Sequence, residues 1–226
     1  METTIIKIEG VKLLLTESEK NIQINDISEE KFELVWERVV ADYPKYEVFF
    51  CFNSERMAHN QKVPSEYLSK VNANRIDDML NFKLNADDFT FPEFGNELEI
   101  TLLTEEKFDE FATFHDSRNP DMFWTSDRIK KRADIWQIHT LKKNEQLAGY
   151  IMTMITDRNT EIFVIESDCD TIFEVLLATA CQSAFVIGKK EMLYMIERAE
   201  PTNQQQIAKD LGFKETGFYQ GFQVFL

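Results

Sequence analysis

The sequence predicts an α/β fold in which a mixed central sheet is flanked by helices. Residues 147–155 and 161–165 are short, nearly continuous apolar runs, which are typical of central strands covered on both faces. Residues 171–187 follow as an apolar segment of helical length. Strand-like and helix-like segments also alternate through the rest of the chain, as they do in α/β proteins.

The turn between these strands and the long helix is acidic, with the sequence ESDCD at residues 166–170. Thr171 is followed three residues later by Glu174, which is the spacing of a capping box, so a helix is expected to begin close to Thr171. Helix N-termini often bind phosphate, because free N–H groups and the helix dipole point outward there. This turn is therefore a candidate ligand site.

Composition favours a packed protein and argues against several classes of function. The chain has 226 residues, 43% of them hydrophobic, enough for one large or two small domains. Its net charge of −15 repels phosphate backbones and anionic lipid, so no nucleic-acid or membrane partner is expected. No apolar run reaches the roughly 20 residues that span a bilayer, and residues 1–10 do not resemble a signal peptide.

The cysteines and histidines predict neither disulfides nor a metal centre. Cys51, Cys169 and Cys181 form no C-x-x-C motif and leave an odd thiol, which fits a reduced, cytoplasmic protein. The histidines are scattered and include no pair at i and i+4, so no metal site is expected.

Helix and strand signals continue along both halves of the chain. In the first half we predict strands at residues 5–15 (interrupted at Gly10), 46–52 and 75–84, and helices at 29–42 and 66–71. In the second half we predict strands at 98–103, 136–142, 191–196, 214–219 and 222–226 (the last two separated at Gly221), and helices at 104–114, from Ser126, and at 202–211. Segment 87–96 carries Pro, Gly and acids and predicts a boundary between units at 1–95 and 96–226.

Residues 32–84 and 171–226 share the order long helix, aromatic-rich strand, polar link with proline, helix and closing strand. The shared order suggests an internal repeat, although the residues hardly match.

Two short motifs resemble the GNAT superfamily of acetyltransferases. The sequence LGFKETG at residues 211–217 matches the family's LGF-x-x-x-G signature, and AGYI at residues 148–151 looks like its third strand. The resemblance covers residues 98–226 and implies a GNAT-like acyl-CoA N-acyltransferase fold there. The first unit then resembles a partial, half-domain copy of the same fold.

This resemblance implies that acetyl-CoA binds between the fourth and fifth strands, at residues 161–165 and 191–196. The positions matching those that pair with the pantetheine arm are Phe163, Val164 and Ile165. The pyrophosphate position is the start of the next helix, at Thr171. The asparagine that often contacts CoA falls at Pro201 by spacing, and Asn203 is the residue that can substitute for it.

The resemblance also implies a base that takes the proton of an acceptor amine. Glu161 matches the family's glutamate on the fourth strand; alternatively, it is an ordinary carboxylate at a strand end. Phe123 and Trp124 lie in the loop that lines the acceptor pocket in relatives, where aromatic rings suit an apolar stem and acids suit an amine. The alternative is that both rings close the core.

The chain departs from the family pattern at two places. No glycine occurs between Gly149 and Gly188, so the usual glycine-rich phosphate turn is missing, and acids occupy it instead. Two like charges about 4 Å apart at an effective dielectric of 20 repel by roughly 4 kcal/mol. The family's usual acid, a tyrosine, is replaced by Ala208.

Two functions are compatible with these features. One is an acetyl-CoA-dependent N-acetyltransferase that acts on the amine of a small molecule or peptide. The other is a catalytically inert GNAT-fold module for binding or assembly, which the acidic turn and the missing tyrosine favour.

Overall fold

The computed structural model describes residues 3–25, 27–54, 65–94, 98–120, 122–157, 160–199 and 203–226. The chain forms two compact units that are interleaved in sequence. Unit 1 comprises Met1–Asn81, Glu197–Ala199 and Thr216–Leu226, and unit 2 comprises Phe82–Ile196 and Glu200–Glu215. The sequence predicts a single boundary between 1–95 and 96–226. That boundary lies at residues 95–97, outside the described residues, and stays a prediction about how the two halves arose.

Unit 1 is a mixed sheet with two helices. Its elements are β1 (Thr4–Ile8), β2 (Val11–Thr16), β3 (Asn21–Asn25), α1 (Glu29–Asp42), β4 (Glu47–Asn53), α2 (Ser65–Lys70), β5 (Asn74–Asn85) and β11 (Lys214–Phe225). The strand order is β1-β2-β3-β4-β11-β5. β1, β2 and β3 are antiparallel neighbours, whereas β3 runs parallel to β4. β5 and β11 each pass into unit 2, at residues 82–85 and 214–215.

The core of unit 1 explains one strand that the sequence analysis does not predict. β3 has only two apolar residues, Ile22 and Ile24, alternating with Asn and Gln. Both are fully buried and belong to one hydrophobic cluster with Phe32 and Val35 of α1 and Phe50 of β4. Two isoleucines form a short periodic signal, but the helix makes them core residues.

The predicted break in the last strand is wrong. β11 runs without interruption through Gly221, which lies opposite Cys51 of β4. A side chain at Gly221 would place its Cβ 2.5 Å from Oδ2 of Asp77. This glycine therefore allows a close approach within unit 1 and does not end a strand.

Unit 2 contains the acidic turn and both motifs. Its elements are β6 (Glu99–Leu102), α3 (Phe108–Arg118), α4 (Ser126–Lys131), β7 (Trp136–Lys143), β8 (Gln146–Ile155), β9 (Thr160–Ser167), α5 (Asp170–Val186), β10 (Glu191–Glu197) and α6 (Asn203–Asp210). The strand order is β10-β9-β8-β7-β6. β6 to β9 are antiparallel neighbours, and β9 runs parallel to β10.

The start of α5 differs in detail from the prediction. The helix begins at Asp170, with Cys169 as N-cap and no side-chain capping bond, so the predicted capping box of Thr171 and Glu174 is wrong. The N–H of Asp168 bonds to the carbonyl of Ala148 at 3.2 Å, which carries the extended backbone on to Cys169 before the helix begins. Thr171 lies exposed in the first helical turn.

The packing of α5 on the sheet explains Gly149 of β8. A Cβ at this position would lie 2.6 Å from the carbonyl oxygen of Glu166 and 2.9 Å from Cγ2 of Ile172. Glycine therefore lets β8 lie close both to β9 and to α5. The prediction that these strands are covered on both faces is confirmed for β8 and wrong for β9, where Phe163 is 39% exposed.

The two units repeat one order of elements. The order β1-β2-β3-α1-β4-α2-β5 in the first part of the chain recurs as β7-β8-β9-α5-β10-α6-β11. The internal repeat inferred from residues 32–84 and 171–226 is therefore present and extends toward the N-terminus by three strands in each copy.

Candidate active site

The parallel strands β9 and β10 diverge soon after they meet. Leu193 lies opposite Glu161 and Tyr194 opposite Ile162, and no later pair occurs in these two strands, which are described throughout. On its other edge β9 pairs with β8 along its length. The divergence therefore leaves the edge of β9 that faces β10 without a strand partner from Phe163 onward.

A bulge in β9 coincides with this divergence. Met152 of β8 lies opposite Val164 and Thr153 lies opposite Ile162, so that Phe163 is the extra residue. A bulge bends the strand that carries it and increases its twist. We attribute the parting of β9 from β10 to this bend. The three predicted cofactor-binding residues Phe163, Val164 and Ile165 follow directly.

Glu161 lies at the closed end of the divergence. It is half-buried and pairs with Leu193 on one side and Met154 on the other. Met154 in turn lies opposite Trp136 of β7. Because residues directly opposite on neighbouring strands project from the same face, Glu161 shares a face of the sheet with Trp136.

Four aromatic rings form a continuous surface on this face, which we call the aromatic wall: Phe123, Trp124, Trp136 and Phe163. The ring centres of Trp136 lie 5.1 Å from Trp124 and 5.4 Å from Phe163, and those of Phe123 and Trp124 are 5.4 Å apart. Trp124 packs against the hydrophobic core below it, whereas Phe123 is 48% exposed, with the Arg128 guanidinium 4.1 Å above its ring. The structure thus brings the predicted substrate residues beside the predicted cofactor edge.

A buried hydrogen-bond chain fixes the backbone of Trp124. Nδ1 of His115 lies 2.7 Å from the hydroxyl of Tyr150, and its Nε2 lies 2.7 Å from the carbonyl oxygen of Trp124. Asn119 donates to the same hydroxyl at 3.0 Å. A carbonyl can only accept, so Nε2 carries the proton, and Tyr150 donates its own proton to Nδ1. Burial, aided by the charge of Glu166, raises the pKa of Tyr150, which therefore stays protonated.

A second contact holds the same loop. Ser126 donates its N–H to Asp116 at 3.0 Å and its hydroxyl at 2.5 Å, so Asp116 caps α4 from the end of α3. Partial burial raises the pKa of Asp116, but the two bonds from Ser126 outweigh it and the pKa is lowered. Sequence analysis misses His115, Asp116 and Tyr150, because the contacts join positions far apart that share no periodicity.

The acidic turn is partly neutralised. Arg118 pairs with Asp168 at 2.8 Å, at a site where both side chains are about half exposed. Asp170 accepts a hydrogen bond of 2.6 Å from the Asn203 amide, which carries no charge. The structure therefore brings the predicted cofactor residues Thr171 and Asn203 to the same mouth, with Asn203 engaged by the protein itself.

The tyrosines near this site are buried or belong to unit 1. Ala208 is fully buried in α6, so no hydroxyl is available at the family's position. Tyr194 of β10 packs against Phe173 and Phe213, and burial raises its pKa. Tyr219 donates to Cys51 in unit 1.

Among the described residues, no cluster of three or more His, Cys, Asp or Glu side chains could hold a metal ion. In the same part of the chain, no helix is both long and apolar enough to cross a membrane.

Comparison with solved structures identifies the fold. The chain is similar to a functionally unknown conserved protein from Staphylococcus epidermidis, with a TM-score of 0.70 and 9% identity over 99% of this chain and 94% of that one. It is also similar to a GCN5-related N-acetyltransferase from Kribbella flavida (0.67; 11% identity; 98% and 89% covered). A tandem GNAT protein from the clavulanic acid biosynthesis pathway gives 0.66 at 8% identity, with 98% and 81% covered.

No protein-family model matches the sequence, and no curated protein matches it. The likeness therefore rests on three-dimensional structure, and at these identities it concerns the fold. The chain has the GNAT fold, as the LGF and AGYI motifs predict, and it is divergent in sequence.

Proposed function

We propose that this chain is an acetyl-CoA-dependent N-acetyltransferase whose acceptor is the amine of a small molecule or peptide. The observation that supports it is the divergence of β9 and β10 after Ile162 and Tyr194. A strand edge without a partner at the centre of a sheet can accept an extended, amide-containing arm as if it were another strand. Phe163, Val164 and Ile165 offer that edge.

The residues fit the two parts of acetyl-CoA unequally. The open edge of β9 suits the pantetheine arm. The start of α5 suits the diphosphate less well, because Asp170 adds negative charge at a helix end that otherwise favours anions. The pairing of Asp168 with Arg118 at 2.8 Å removes part of that repulsion. We therefore expect weak binding, with the acidic turn as its main cost.

Glu161 is the proposed base. When the amine nitrogen bonds to the acetyl carbon and the carbon–sulfur bond breaks, the amine must lose a proton and the thiolate must gain one. The Glu161 carboxylate would accept the first proton at the vertex of the cleft, and the aromatic wall on the same face would hold the acceptor's apolar stem. With Ala208 at the usual acid position, solvent is the proposed source of the second proton, so turnover should be slow.

Binding is tested by the melting temperature with and without acetyl-CoA. A ligand at 100 times its dissociation constant adds about 2.7 kcal/mol of stability, and the temperature rises accordingly. Asp170→Asn should enlarge this rise by removing repulsion. The matched control is Asp127→Asn, which removes one charge from the first turn of α4 and should leave the rise unchanged. An equal gain in both variants would refute the local electrostatic account.

Activity is tested by the release of free thiol from acetyl-CoA in the presence of a panel of amines. Glu161→Gln should lower kcat by roughly 10²–10⁴-fold, the usual contribution of a general base, with the acetyl-CoA temperature shift retained. Glu191→Gln on β10 is the control. Absence of any temperature shift at millimolar acetyl-CoA would end the enzyme proposal.

The second candidate is an inert binding or assembly module. The bond from Asn203 to Asp170 favours it, because the protein itself occupies the group that would contact CoA. In that case the open edge of β9 would take a peptide strand from a partner. A protein that gives no shift with acetyl-CoA but binds an extended peptide at β9 would meet this expectation.

A further inference from the structure

A cavity of about 600 Å³ lies in unit 2, apart from the divergence of β9 and β10. Its walls come from the segment between β6 and α3, from α4 and from the start of β7, and they include Leu103, Phe108, Ile129, Trp136 and Ile138. Ile129 and Ile138 are buried and form its floor. Pockets for small molecules usually enclose about 300–1,000 Å³ and are mainly apolar. Size and lining therefore suit a small organic ligand.

One wall of the cavity contains a hydrogen-bond donor without a partner. Nε1 of Trp136 is buried and bonds to no protein atom. A buried polar group left unpaired costs stability, so it points to a missing partner. The same indole ring contacts Trp124 and Phe163 of the aromatic wall on its other side. Trp136 therefore separates the cavity from the candidate active site and would report on occupancy of either.

The mouth of the cavity favours a positive charge. Glu105 and Asp134 supply two carboxylates and Lys130 one ammonium group. The Lys130 nitrogen lies 5.1 Å from the centre of the Phe108 ring, a cation–π contact that engages its charge. The net charge of −15 over the whole chain also attracts cations and repels anions.

We propose that this cavity is a binding site for a small amine with an apolar, ring-sized body, separate from the acetyl-transfer site. The body packs between Phe108 and Trp136 over the isoleucine floor, and the ammonium group lies at the mouth beside Glu105 and Asp134. The site does not depend on acetyl-CoA binding, so it can be tested whether or not the chain is an acetyltransferase.

The test uses three probes that share a phenyl ring and a two-carbon chain: 2-phenylethylamine, 2-phenylethanol and 3-phenylpropionate. Calorimetric titration of the full chain should give the tightest binding for the amine, about fivefold weaker binding for the alcohol, and the weakest for the carboxylate. The amine should also change tryptophan fluorescence, because Trp136 lines the site. Equal or tighter binding of the carboxylate would overturn the proposal, as would the absence of amine binding at millimolar concentration.

Two variants locate the binding. Ala133 lines the mouth and is exposed, so Ala133→Trp should block entry and weaken amine binding more than tenfold, whereas Ala41→Trp on the surface of α1 should not. Glu105→Lys tests the charge without filling the cavity: amine affinity should fall about fivefold and carboxylate affinity should rise by a similar factor. Amine binding that survives both variants unchanged would place the ligand elsewhere and refute the assignment.

Discussion

β3 and β4 in unit 1 hold the same place in the repeated order as β9 and β10 in unit 2, yet they pair very differently. β3 and β4 form a continuous parallel ladder from Asn21 opposite Glu47 to Asn25 opposite Cys51. β9 and β10 separate after two pairs. The same connection of strands thus makes a closed support in one unit and an open cleft in the other.

The difference has a local origin. In unit 2 the extra residue Phe163 interrupts the register of β9 against β8, whereas the register of β2 against β3 is regular. Ile22 and Ile24 of β3 are fully buried, while Phe163 keeps 39% of its surface exposed. A single inserted residue therefore exchanges buried apolar surface, which stabilises the fold, for backbone that is free to bind a ligand.

The largest expected effect concerns packing on the closed side. Ile24→Ala should lower the free energy of unfolding by about 2–5 kcal/mol, because it leaves a cavity in a fully buried cluster. Val164→Ala, at a half-buried position of β9, should cost roughly 1 kcal/mol. Chemical denaturation of both variants measures the contrast. Equal costs would mean that β9 is packed as tightly as β3, contrary to the comparison.

The next effect should appear in acid and only in unit 2. His139 of β7 is 5% exposed, and burial lowers its pKa from 6.5 to about 4. Between pH 6.5 and 4 the unfolded state binds the proton and the folded state does not, so stability falls as the pH falls through this window. The loss is on the order of 3 kcal/mol, at about 1.36 kcal/mol per pKa unit.

His139→Asn is the control for this effect, because it keeps a polar group near Ser183, which lies 3.0 Å from Nε2 of His139, but cannot titrate. Unfolding free energies measured from pH 7 to 4 should fall more steeply for the wild-type protein than for the variant. Hydrogen exchange should show earlier loss of protection in β7 and α5 than in β3 and β4. Parallel curves for the two proteins would contradict the assignment.

A smaller effect tests why β8 carries a glycine. Gly149→Ala places a Cβ 2.6 Å from a backbone carbonyl held between two strands, so we expect a loss of about 1–3 kcal/mol. Gly221→Ala in unit 1 meets the Asp77 side chain at 2.5 Å, which can rotate away, and should cost less. Thermal unfolding ranks the two. The reverse order would show that the backbone of β9 yields more easily than a surface carboxylate.

The smallest effect lies at the mouth of the cleft. The ion pair of Arg118 and Asp168 joins side chains that are 46% and 50% exposed, so a double-mutant cycle with Arg118→Gln and Asp168→Asn should give only about 0.2–1 kcal/mol. The coupling should shrink in high salt. A larger, salt-independent coupling would mean that the pair is needed to hold the mouth in shape.

Much of the fold could be predicted from sequence, because long apolar segments decide it. α1, α5 and β8 carry strong periodicity or continuous apolar runs, and they occur where the sequence predicts them. β3 escaped prediction because only two of its residues are apolar. The start of α5 was misassigned by one residue because a backbone bond at Asp168 extends the strand, and no local propensity reports such a bond.

The candidate site was less predictable than the fold. Family resemblance led to Glu161 and to Phe123 and Trp124, which the structure brings to one region. The chain from Asn119 through Tyr150 to His115 depends on the approach of α3 to β8 and leaves no sequence pattern. The divergence of β9 and β10 is a property of register, and residue types alone do not determine register when both strands are apolar.

The two long strands β5 and β11 have a consequence for synthesis on the ribosome. Unit 1 includes Thr216–Leu226, which follow all of unit 2 in the chain. While the nascent polypeptide is still short of those residues, β4 lacks its antiparallel neighbour and exposes an aromatic strand edge. The half made first is therefore the half completed last, and during translation it is the part of the chain that most needs a chaperone's protection.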